Sequence, residues 1–314
     1  MLKILVTGAS GFLGRSILAC SNFSDLEISG TMRSTGNKVQ FSKIKIYKIM
    51  DINSSTVWKE AVNGKQVVIH TAAMAHNNSL AYNESALKEV NINGTVNLAK
   101  QAAEAGVQRF IFISSIGVNG SVNVTPFSYK DKPNPTSAYA ITKYRAEQEL
   151  WKIQKDTGME IVIIRPPLIY GPHAPGNFDR LIRLIDRNIP MPFKRVKNKR
   201  SFIALDNAVD FILHCASHPK AKNKIFLISD NQDVSTLEFV TKIANAFNRN
   251  PLQFSIPISL MKIIANLVKK GDVANSLLES LLIDSTSSYS LLEWNPVITM
   301  EDQLKKIENE YYKN

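Results

Sequence analysis

Cysteine is scarce: this chain of 314 residues has two, Cys20 and Cys215, which excludes a disulfide framework and makes a reducing, cytoplasmic setting the default. The apolar run at the N-terminus is too short for a signal peptide. No stretch is long enough to insert across a bilayer, and the longest late one, Ile256 to Val268, is interrupted by Pro257 and Lys262. It reads as an amphipathic helix packed on the core. Acid is short as well, with 27 Asp and Glu against 38 Lys and Arg and a formal net charge of +11. That balance favours anionic partners, yet no base-reading motif or aromatic stacking platform accompanies it, so nucleic acid is not expected. His214 and His218 flank Cys215 at a spacing that could grip zinc, but further ligands are missing and no metal is expected. With 44% hydrophobic residues, a large core remains, in one domain or two intimate ones.

What the chain does have begins at once. Five short β-rich runs, at 2–6, 27–32, 44–49, 67–70 and 110–113, alternate with helical stretches. That order predicts an α/β fold, a Rossmann-type doubly wound parallel sheet whose ligands bind beyond the carboxyl ends of the strands. Directly after the first run stands Val6-Thr-Gly-Ala-Ser-Gly-Phe-Leu-Gly14. Gly8 permits the tight turn, Gly11 lets backbone approach a pyrophosphate, and Gly14 lets the next helix pack closely. Ser10, Phe12 and Leu13 belong to the same turn, and the helix N-terminus aims at the pyrophosphate.

The end of the second strand carries the next absence. Gly30-Thr-Met-Arg33 offers no carboxylate for the ribose 2′-hydroxyl of NAD, while Arg33 suits the 2′-phosphate of NADP. NADP(H) is therefore expected ahead of NAD(H). Asp51 and Ile52 are placed to hold the adenine edge, although a turn or capping aspartate is an equal reading. Thr71, Ala72 and Ala73 put small residues beside the sheet end, where backbone can lie against a cofactor.

Catalytic candidates follow the fifth run. Ser114 and Ser115 end it, and Tyr139-Ala-Ile-Thr-Lys143 opens a helix expected over 137–153. Tyr139 and Lys143 share one face of that helix. A lysine ammonium and a nicotinamide charge both favour the tyrosine phenolate, so Tyr139 can move a proton while Ser115 holds the substrate oxygen. Asn91 is a polar interruption in a helix expected from Leu80 to Ala105.

These motifs resemble the extended short-chain dehydrogenases/reductases, in particular the nucleotide-sugar epimerase and reductase branch. The carriers are Thr7 to Gly14, Ser114 to Gly120, Tyr139 to Lys143, Arg165-Pro-Pro-Leu-Ile-Tyr-Gly-Pro172, and Lys199 to Ile203 leading to Asp206-Asn207. Enzymes acting at C4 of UDP-N-acetyl-6-deoxyhexoses are nearest in likeness, with UDP-galactose 4-epimerases next. The resemblance implies that Ser115, Tyr139 and Lys143 form the catalytic triad, that Asn91 holds a proton-relay water below Lys143, and that Asn177 and Arg200 contact the UDP. Two departures stand out. Ile116 and Gly117 replace the acid that dehydrating and decarboxylating relatives carry after the triad serine, and Leu168 stands where UDP-galactose 4-epimerases have asparagine.

Beyond about residue 166 proline, glycine and basic residues cluster, and helical stretches at 178–188, 207–217, 237–246 and 260–269 predominate. The expected organisation is a dinucleotide-binding domain over 1–165 and, mainly, a substrate lobe over 166–314. The leading functional expectation is NADPH-dependent reduction of a UDP-4-keto-6-deoxy-N-acetylhexosamine for surface polysaccharide synthesis. The alternatives are a UDP-sugar 4-epimerase, acting on UDP-glucose or a UDP-N-acetylhexosamine, and a non-catalytic dinucleotide sensor. A homodimer through the 80–105 and 137–153 helices is expected from the fold.

Overall fold

Apolar residues that alternate in two directions build a sheet buried on both faces. A computed structural model of the chain describes residues 1–20, 25–33, 44–74, 84–267 and 271–312. Its strands are β1 (Leu2–Thr7), β2 (Leu26–Arg33), β3 (Ile46–Ile49), β4 (Val67–His70), β5 (Arg109–Ile113), β6 (Glu160–Arg165), β7 (Ile169–Tyr170), β8 (Ile203–Ala204) and β9 (Lys224–Leu227). Seven of them form one parallel sheet in the order β3-β2-β1-β4-β5-β6-β9, and β7 pairs with β8 beside it. Ile4, Val6, Val67, Ile69, Ile111 and Ile113 point to one face; Leu5, Val68, Phe110 and Phe112 point to the other. Period two divides each strand between two cores, which is why the runs read as continuously hydrophobic.

The helices cover both faces. The first are α1 (Phe12–Ala19), α2 (Lys59–Val62), α3 (Glu84–Lys88), α4 (Thr95–Glu104) and α5 (Ala138–Thr157). Of these α5 has clear end signals: Ser137 caps it by accepting from Ala140 N at 3.2 Å, and Gly158 closes it at φ +76°. The helix expected from Leu80 to Ala105 is not continuous, because a π-helical turn over Glu89–Gly94 separates α3 from α4. Residues 80–83 of that expectation lie outside the described residues. The extra residue in the turn lets Gly94 press on the 52–53 backbone, where a Cβ would lie 2.6 Å from Ile52 Cγ2.

After β6 come α6 (Asn177–Asp186), α7 (Leu205–Ser217), α8 (Thr236–Ala246), α9 (Ile258–Leu267), α10 (Gly271–Leu278), α11 (Thr286–Leu292) and α12 (Met300–Tyr311). Part of this half returns to the sheet: β9 is an edge strand, and Phe211, Tyr289 and Trp294 share the core of β1. The remainder has its own core, in which Phe202 stacks on Phe239 with ring centroids 4.3 Å apart and Tyr170 meets Phe239 edge-on. Phe12 of α1 touches both cores and ties the two together. The apolar stretch expected to be an amphipathic helix packed on the core forms α9; Ile258 and Met261 pack against this second core, and none of the helix's residues is fully buried. No helix among the described residues is long and apolar enough to cross a membrane.

Candidate active site

The strand order reverses between β1 and β4, and the glycine turn lies at that switch point. Gly8 has φ +73°, and its carbonyl accepts from Gly11 N at 2.9 Å. A Cβ on Gly14 would sit 2.2 Å from Gly8 O, so only glycine lets α1 close on the turn. A Cβ on Gly8 would meet the Ala72 backbone at 3.0 Å, which shows how tightly the turn abuts the residues after β4. Thr71 fastens them by donating to Thr7 O at 2.6 Å, and Ala72 and Ala73 continue the wall. Ser10 and Gly11 are exposed, Phe12 is half-buried and Leu13 is buried.

A dinucleotide fits this mouth. Gly11, the N-cap of α1, brings no side chain to cap the helix and the first turn holds no acid, so its N–H groups are left for an anion. Around the adenine end the picture is plainer. Asp51 is exposed and accepts from Ile52 N at 2.9 Å, while Ile52 is buried in the core behind it. Arg33 is exposed at the end of β2, and residues 34–43, which follow it, lie outside the described residues.

Ser115 leaves the sheet at the end of β5. Gly117 N donates to its Oγ at 3.1 Å, so the hydroxyl proton remains available to a substrate oxygen. Tyr139 is the second residue of α5 and Lys143 stands one turn on, with its ammonium 4.0 Å from the centroid of the Phe112 ring. The short 3₁₀ turn after Ser115 packs on that helix, since a Cβ on Gly117 would contact Ala140 Cβ at 3.3 Å. Burial lowers Lys143 to about 7, with Glu147 pushing it back up. Burial drives Tyr139 up to about 12 in the protein alone.

Behind Lys143 lies a charged cluster that the sequence reading missed. Glu147, one further turn along α5, is fully buried and receives Arg165 Nε at 3.0 Å and Nη2 at 2.5 Å. Ser114 donates to the same carboxylate, and Arg165 Nη1 donates to Asn119 Oδ1 at 2.9 Å. The available signal was the spacing: Glu147 follows Lys143 by four residues, on the same face of α5.

His70, also unassigned from sequence, has its tautomer set by its neighbours. Thr95 gives its hydroxyl proton to Asn91 O at 2.9 Å, so it accepts from His70 Nε2 at 2.9 Å, and Thr7 donates to Nδ1 at 2.6 Å. Burial, then Lys143, holds the ring at about 3, so it is neutral. Asn91 sits in the π-helical turn. Its Oδ1 accepts from Met74 N at 2.8 Å, and its two N–H donors go to Met74 O and to Thr142 Oγ1. Both donors are committed to protein; one lone pair of Oδ1 remains.

The second half supplies the other expected residues. Asn177 is exposed as the first residue of α6. Arg200 bridges Val234 and Leu281, donates through Nη1 to Glu279 O at 2.8 Å, and is lowered to about 10 by burial. Its other donors point to no protein acceptor among the described residues, so they suit an anion. The two histidines are occupied with structure: His214 Nε2 pairs with Leu292 O at 3.0 Å, and His218 caps the turn at Lys220. No group of three metal-ligating side chains occurs among the described residues.

A switch-point glycine turn beside a serine, a tyrosine and a buried lysine defines an enzyme of the extended short-chain dehydrogenase/reductase class. Residues 4–229 match the NAD dependent epimerase/dehydratase family, and the chain belongs to it. It is 39% identical over 310 residues to a UDP-glucose 4-epimerase of Vibrio cholerae, covering 97% of this chain and 94% of that one. It is 26% identical over 260 residues to the N-acetyl-alpha-D-glucosaminyl-diphospho-ditrans,octacis-undecaprenol 4-epimerase of Escherichia coli O157:H7, covering 82% of this chain and 76% of that protein. The fold is similar to that of the UDP-glucuronic acid 4-epimerase of Bacillus cereus in complex with NAD, with a TM-score of 0.81 at 20% identity over 99% of both chains. The expectation of NADP(H) finds no support in these comparisons, because the family is NAD-dependent.

Proposed function

We propose that this protein is a UDP-sugar 4-epimerase that works with NAD. Support comes from the 39% identity over nearly the whole chain to a UDP-glucose 4-epimerase, which moves the epimerase ahead of the reductase expected first. Carrying the proposal on the structural side is the placing of Ser115, Tyr139 and Lys143 at the carboxyl end of β5, the same end of the parallel sheet as the glycine turn after β1.

Residues 8–14 and 71–73 hold the dinucleotide in this reading, and the part of the chain after residue 165 brings Asn177 and Arg200 to the UDP. NAD, when bound, supplies the hydride acceptor for C4 of the sugar and afterwards the donor. Ser115 orients the C4 oxygen through its uncommitted proton. Tyr139 takes the proton from that oxygen and later returns it. Lys143 stabilises the phenolate as long as it keeps its own proton, which Glu147 favours. Burial alone puts Tyr139 at about 12, so the lysine ammonium is needed for proton removal near neutrality.

The test is to incubate the purified protein with UDP-glucose and with UDP-N-acetylglucosamine, resolve the products by chromatography, and weigh the dinucleotide released on denaturation. Interconversion with bound NAD is expected, falling roughly 10²–10⁴-fold in Tyr139→Phe. No interconversion, with NADPH consumed on a UDP-4-keto-sugar, returns the reductase.

A further inference from the structure

α9 is a helix in the wrong solvent. Ile258 and Met261 lean on the C-terminal core, and Met261, Ile264 and Ala265 line an open apolar cleft of about 330 Å³ against Phe193 and Leu277. Along the helix Leu260, Ile263, Ile264 and Leu267 are 46%, 56%, 48% and 78% exposed. Their spacing, i, i+3, i+4 and i+7, makes one unbroken stripe along the helix. Leu252 and Phe254 extend the patch, held beside residues 191–194 by Met191 N to Leu252 O at 2.8 Å and Phe254 N to Met191 O at 3.0 Å.

The charge around this patch is predominantly positive. No aspartate or glutamate occurs in the sequence from residue 187 to 205 or from 239 to 271. Lys194, Arg195, Lys197 and Lys199 are exposed on the neighbouring segment, which continues into Arg200. Bordering carboxylates are already neutralised, Asp186 by Arg249 at 2.9 Å and Glu279 by Lys262. A second copy docking face to face would set these cations against each other.

We propose that α9 and the basic segment 194–199 form a docking surface for an anionic phospholipid bilayer. The helix lies in the plane of the surface, its stripe at the acyl boundary and the lysines and arginine on the headgroup phosphates, without crossing the membrane. Docking is independent of the catalytic reading, because binding is measured without turnover.

Sedimentation with vesicles tests it, using equimolar phosphatidylglycerol and phosphatidylcholine against phosphatidylcholine alone. Expected is binding to the anionic vesicles at ~50 mM salt that is lost at ~500 mM. Leu260→Glu/Ile263→Glu/Leu267→Glu should weaken that binding by ~10-fold or more and leave turnover of a soluble substrate unchanged. Lys194→Glu/Arg195→Glu should weaken it to a similar degree with the stripe intact. Failure of the protein to sediment with anionic vesicles overturns the proposal, as does undiminished binding by the triple variant. So does light scattering that finds a dimer in the parent and a monomer in the triple variant, since a second copy then covers the stripe.

Discussion

The half of the molecule around β5 buries charge, and the half around α9 exposes hydrocarbon. In the first, Lys143, Glu147 and Arg165 lie out of water, with Glu147 and Arg165 paired to each other. In the second, a ten-residue apolar helix has no fully buried residue although an aromatic core stands next to it. Both arrangements are unfavourable in isolation, and each makes sense only with what it faces. Burial of the charges keeps a lysine close to its titration point beside a tyrosine, where a proton must move. Exposure of the helix leaves apolar area for something other than this chain's own core.

Removing one partner of the buried pair should have the largest effect. Arg165→Met strands the Glu147 carboxylate in the sheet-helix layer and should cost about 3–5 kcal/mol, read by urea denaturation. A loss under ~1 kcal/mol would mean that water reaches the pair and that the two halves do not differ as described.

Next comes the pH profile. Lys143 is faced by Glu147 on its own helix, Phe112 on β5 and His70 on β4; Glu147 carries the one charge among these that favours its proton, and the Phe112 ring face adds a weaker attraction for the ammonium. Activity needs that proton, so kcat/KM should fall as pH rises through the lysine pKa. Glu147→Gln removes the favourable charge and should move this alkaline limb about one unit or more towards acid. A limb that stays in place would give the carboxylate a packing role alone. The sign for stability is separate. Lys143 binds its proton less well folded than unfolded, so its burial penalises the folded state fully below about 7, and the penalty fades as pH rises towards the ordinary lysine value of 10.5.

The smallest effect belongs to α9. Changing Ile263 and Leu267 to serine should alter stability by no more than about 0.5 kcal/mol each, since these side chains are already in water. A larger loss in the same urea titration would show that they are covered in solution.

Much of the first half is legible in the sequence. The strand runs, the glycine turn and the Tyr139 to Lys143 spacing are local patterns, and local sterics and helix periodicity translate them directly. The helix at 80–105 was misread as continuous because a π-helical turn has no compositional signature; it depends on Gly94 meeting Ile52. Leu168, the departure from galactose epimerases, is exposed beside β7, and nothing it touches explains the change.

By itself the sequence determined the doubly wound order, the place of the phosphate turn and the identity of the serine, tyrosine and lysine, since each follows from neighbours within a few residues. Tertiary structure alone decided the rest. Glu147 finds Ser114 33 residues away, Arg165 finds Asn119 46 residues away, and His70 takes its tautomer from two threonines on different elements. Such partners are chosen by how layers stack, which no local period encodes. Exposure of α9 belongs to the same class: a helix apolar on most sides reads alike whether a core or another surface is to cover it, and only packing shows which sides are left open.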